Sequence, residues 1–62
     1  MIVLTKTNGK RFAINVNKII IAEQIDTVTR IWYTSTKFNE YVDVEENFQT
    51  VLDIIKKTKN SK

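Results

Sequence analysis

The chain has 62 residues, ten Lys or Arg against seven Asp or Glu, and a formal net charge of +3. It carries no cysteine and no histidine, which excludes disulfides and the usual zinc and copper ligands. A single domain of this size buries only about 60% of its unfolded surface, so tight packing of one core or self-association must supply its stability.

The opening apolar run Met1–Leu4 is too short for a signal peptide, and no apolar run approaches the roughly 20 residues of a membrane helix. A cytoplasmic protein is expected. Four of the basic residues, Lys56, Lys57, Lys59 and Lys62, sit at the C-terminal end. There they suit a solvated tail that complements the negative end of a helix dipole.

In chain order, Ile2–Thr5 is followed by Asn8-Gly9, a strong hairpin signal. A type I′ turn, with positive φ at both central residues, is expected there. Arg11-Phe12-Ala13-Ile14 alternates, so strands at about residues 2–6 and 11–14 should pair. Asn15-Val16-Asn17 breaks the pattern as a short turn, with Val16 tucked under it.

The central stretch, Lys18–Thr34, is rich in β-branched and aromatic residues. It predicts a third strand from Lys18 to Gln24, a turn at Asp26-Thr27 and a fourth strand from Val28 to Thr34. Thr34–Lys37 is a polar interruption without glycine. Lys37–Val44 alternates again, with Phe38, Glu40, Val42 and Val44 on one face and Lys37, Asn39, Tyr41 and Asp43 on the other.

The period then changes. Phe48, Val51, Leu52 and Ile55 form one stripe of an amphipathic helix, with Asn47 as its N-cap. The fold class is therefore α+β: a small antiparallel sheet of four to five strands with one C-terminal helix packed on one face. Residues 1–59 make the domain and residues 60–62 a frayed tail.

Several of these features together resemble the FlbD (SwrD) family of small flagellar proteins. They are Ile2, Leu4-Thr5, Asn8-Gly9, Phe12, Ile14-Asn15, Ile19 with Ala22, Asp26-Thr27-Val28, and Val42, Val44, Glu46, Asn47 and Val51. The resemblance implies the same small fold. It also implies an accessory role that supports flagellar motor function through protein contacts, with no catalytic residue to transfer.

Trp32 is the most informative single residue. If Ile31 and Tyr33 face the helix, Trp32 faces the other way with Arg30 and Val28. It is then a binding hot spot, whereas the alternative makes it a core aromatic. Ile19-Ile20-Ile21 and Ile31-Trp32-Tyr33 are both apolar triplets, and one helix covers one face. At least one side chain in each triplet must point away from the helix. Ile20, Arg30 and Trp32 are thus the candidate protein-binding residues, and a homo-oligomer, foremost a dimer, or a hetero-complex is expected on that face.

A second class of function, a small β-rich binder of RNA or single-stranded nucleic acid, would use Arg30, Trp32 and Tyr33 to stack a base, and Lys10 and Arg11 to meet phosphate. Edge-strand protection explains Lys10 and Arg11 better. Glu40, Asp43, Glu45 and Glu46 read as a solvated acidic helix start and not as a cation site. With no histidine or cysteine and too little chain for a cleft, neither an enzyme nor a cofactor is expected.

Overall fold

The computed structural model describes residues 1–36 and 38–60. It contains β1 (Ile2–Thr5), β2 (Arg11–Ile14), a 3₁₀ turn (Val16–Lys18), β3 (Ile19–Ile25), β4 (Val28–Thr34), β5 (Asn39–Val44) and α1 (Phe48–Asn60). The α+β class and the order of elements agree with the sequence expectations. The strands, however, form two antiparallel sheets, β1-β2 and β3-β4-β5, where one sheet was expected. A backbone seam joins them: Glu45 N donates to Thr5 O (2.8 Å), Thr7 N donates to Asp43 O (3.3 Å), and Lys6 bridges Val44. Lys37, expected to begin β5, and Ser61 and Lys62, expected to fray, lie outside the described residues. Asn60, also expected to fray, belongs to α1.

The first hairpin turns at Asn8-Gly9, but not as type I′. Gly9 has φ 89°, while Asn8 is not among the positive-φ residues. Gly9 N donates to Lys6 O (2.9 Å) and Lys6 N to Lys10 O (2.8 Å), closing a three-residue loop. This is the pattern in which a turn is followed by a left-handed glycine bulge. Asn15 starts the 3₁₀ turn by accepting from Asn17 N at 3.0 Å, and Val16 is buried beneath it. The second hairpin is closed by Asp26-Thr27, with Asp26 at φ 52°. Aspartate tolerates that region better than most residues.

The core joins Ile2 and Leu4 of β1, Val16, Ile31 of β4, Val44 of β5 and Val51 of α1. β1, β2, β4 and β5 contribute alternate residues, as a pleat requires, while β3 contributes Ile19 and Ala22 across an irregularity. The helix stripe is rotated from expectation. Val51 is fully buried, and Ile54 and Ile55 pack on the core, while Phe48 and Leu52 are half-buried and lie outside that cluster.

The helix start is anchored. Asn47 Oδ1 accepts from Thr50 N at 2.8 Å, the expected cap. Glu46 Oε1 accepts from Thr5 N at 2.9 Å, and Glu46 O accepts from the buried Thr29 hydroxyl at 2.8 Å. Glu46 is thus a bracket tying β1 and β4 to the helix entry. The expected solvated acidic cluster is overturned for Glu46 and for Asp43, which pairs with Arg30. Glu40 and Glu45 are exposed.

Candidate functional site

The outer face of the three-stranded sheet, opposite the helix, carries the candidate residues. In β4, Ile31 is fully buried, so alternation turns Trp32 and Arg30 outward. Across the sheet, Trp32 pairs with Tyr41 of β5 and Ile21 of β3, and Arg30 pairs with Asp43 and Glu23. Four outward side chains therefore surround Trp32 and Arg30 by register alone.

Ile20 reaches this face by a different route. Ile19 pairs with Tyr33 and Ile21 with Trp32, so Ile20 is an extra residue in β3, a β-bulge. Ile19 and Ala22, on either side, pack on the core. Ile20 and Ile21 are both 51% exposed. Strict alternation would have sent one of them inward. The bulge presents both, side by side, next to Trp32.

The polar groups of the face are mutually satisfied. Trp32 Nε1 donates to Glu23 Oε1 at 2.8 Å. Arg30 makes a two-pronged contact with Asp43, Nε to Oδ1 at 2.9 Å and Nη2 to Oδ2 at 3.2 Å. The hydrogen bond to Arg30 holds the Asp43 carboxyl below its ordinary pKa, and the same bond raises that of Arg30. Tyr41 lies between them. Its ring centroid is 4.9 Å from that of Trp32, with the planes tilted by 54°, and 4.2 Å from the Arg30 guanidinium carbon. Both contacts fall within the range of favourable aromatic and cation–π pairs.

This arrangement is a platform of mutually braced side chains. Trp32, Tyr41 and Arg30 have their orientations fixed by neighbours, and Ile20 and Ile21 supply apolar area. Among the described residues no group of three or more acidic side chains converges as a metal ligand set. Lys10 and Arg11 are exposed beside the first turn. No helix of the described residues is long and apolar enough to cross a membrane.

Of the three candidates named from sequence, Ile20, Arg30 and Trp32 come together on one face. Ile21, Tyr41, Glu23 and Asp43 belong with them and were not singled out. Alternation in Lys37–Val44 already placed Tyr41 and Asp43 on one side, but only the β4–β5 register sets them against Trp32 and Arg30. Comparisons with protein-family models, with curated proteins and with solved structures gave no match.

Proposed function

We propose that this chain is a small accessory or adaptor protein that binds another protein, or a second copy of itself, through the outer face of β3-β4-β5. The observation that supports it is the contiguous set Ile20, Ile21, Trp32 and Tyr41. Two isoleucines and a tyrosine about half exposed, beside a tryptophan, form the kind of apolar patch that marks interaction sites. Trp, Tyr and Arg are also the residues most enriched at binding hot spots. The FlbD-like features of the sequence point to the same class of action, contact without catalysis, and the flagellar role is part of the proposal.

The nucleic-acid alternative has less support. Arg30 is already neutralised by Asp43, and Glu23 stands beside Trp32. A phosphate approaching this face meets two carboxylates.

The test is association measured by light scattering, with circular dichroism as the control for folding. The parent is expected to form a dimer or a defined complex. Ile21→Lys should weaken it at least tenfold and leave the spectrum unchanged, because Ile21 points away from the core. Trp32→Ala should act in the same direction. A parent that stays monomeric at high concentration and has no protein partner in cells would overturn the reading. Binding that collapses steeply with added salt would instead select the nucleic-acid alternative.

A further inference from the structure

Helix α1 closes one flank of the molecule, packing chiefly on β3, β1, β4 and the 3₁₀ turn. On the other flank, the inner face of β2 looks toward the end of β4 and the start of β5. A cleft of about 460 Å³ remains there, lined by Lys6, Phe12, Ile14, Lys18, Tyr33 and Tyr41 among others. It falls within the size range of small-ligand sites.

Its chemistry is one-sided. Phe12 and Ile14 lie two apart on one face of β2 and both pack on the core, so one wall is apolar and fixed. Tyr33 and Tyr41 add aromatic rings with hydroxyl groups. The charged residues of the lining are Lys6 and Lys18, and no carboxylate occurs among its described residues. The Lys6 ammonium stands 5.8 Å from the centre of the Phe12 ring, so a cation is already held beside the apolar wall. On the outer face of the sheet, by contrast, Arg30 is paired with Asp43.

We propose that this cleft binds a small organic anion with a flat apolar body. Its ring rests against Phe12, Ile14 and Tyr33, and its anionic group is met by Lys6 and Lys18. This site shares Tyr41 with the outer face but not Ile20, Ile21 or Trp32, and it does not depend on the function proposed for that face.

The probe is 8-anilinonaphthalene-1-sulfonate, compared with N-phenyl-1-naphthylamine, the same ring system without the sulfonate. Both are titrated into the intact protein at low salt by fluorescence, and the site is mapped by backbone amide shifts in NMR. The shifts should centre on residues 12–14, 18 and 33–34. The sulfonate should bind at least tenfold more tightly than the neutral analogue. The double variant Lys6→Glu, Lys18→Glu should lose at least tenfold for the sulfonate and keep its affinity for the neutral compound, which also reports that the cleft is intact. Both lysines are exposed, so the exchange leaves the core alone. Shifts centred on Ile20, Ile21 and Trp32, equal affinity for the two probes, or no saturable binding would overturn the proposal.

Discussion

Gly9 has open space where a side chain would begin: a Cβ placed there meets nothing within 4 Å. Its φ of 89° is therefore the whole cost of a substitution. Gly9→Val should lower stability by about 1–2 kcal/mol, the penalty of left-handed backbone for an L-residue. Gly9→Asn should cost clearly less, since asparagine tolerates that region. Equal denaturation midpoints for parent and Gly9→Val would show that the loop can abandon this conformation. The dipeptide Asn8-Gly9 announced a turn, but not its length. That depends on which residues close the loop, and Lys6 and Lys10 carry no apolar pattern to say so. Asp43 gives a second residue-scale expectation. Its pKa is lowered in the folded state by the hydrogen bond from Arg30, so the pair stabilises the fold above the ordinary aspartate value of about 4. That contribution fades as pH falls through the lowered value. The difference in midpoint between the parent and Asp43→Asn should be present at pH 7 and should vanish well below pH 4. Both side chains remain partly exposed, so the difference is small and shrinks with added salt.

At the scale of the elements, the helix shows how a correct period can carry an incorrect azimuth. Phe48, Val51, Leu52 and Ile55 satisfy helical spacing, and so do Val51, Ile54 and Ile55. The sequence pattern does not choose between the two stripes. The choice is made by Glu46, whose side chain is bonded to Thr5 N and whose carbonyl is bonded to Thr29, which fixes how the chain enters the helix. Val51→Ala should then cost about 2 kcal/mol or more, as a truncation in a closed core. Leu52→Ala, although it removes a larger group, should cost less because Leu52 is half-buried. Chemical denaturation of the two variants checks the order, and the reverse order would restore the stripe centred on Leu52. Asn47→Ala removes the acceptor for Thr50 N and should lose about 0.5–2 kcal/mol. The cap was legible because capping is local. The Glu46 bracket was not, because it spans 41 residues to Thr5.

For the whole molecule, the number of strands and the helix could be read from alternation and a change of period, but the division into two sheets could not. The seam between them is made of backbone groups of Thr5, Thr7, Asp43 and Glu45, which leave no mark on the side-chain pattern. Which face of the sheet is outward was legible only as alternatives, since the Ile31-Trp32-Tyr33 triplet is apolar on both sides. The burial of Ile31 resolves it. A domain this small gains stability from anything that binds only its folded form. If the outer face mediates self-association, the thermal midpoint of the parent should rise with protein concentration, and that of Ile21→Lys should not. Scanning calorimetry over a hundredfold range of concentration measures this, and a parent midpoint independent of concentration would argue against self-association.

The extra residue in β3 has a consequence for what the chain can lose. Removing one residue from inside a strand ordinarily inverts every side chain beyond the gap, sending core residues into water. Ile20 has no partner of its own, while Ile19 opposite Tyr33 and Ile21 opposite Trp32 are already in phase with the rest of the sheet. A chain lacking Ile20 should therefore close into an ordinary ladder, with Ile19 and Ala22 still on the core. Such a shortened chain is expected to fold with little loss of stability, whereas one lacking Ile31, in a strand that has no extra residue, should not fold. The position is a place where the length of the protein can change by one residue, trading exposed apolar area for a smoother edge while leaving the core untouched.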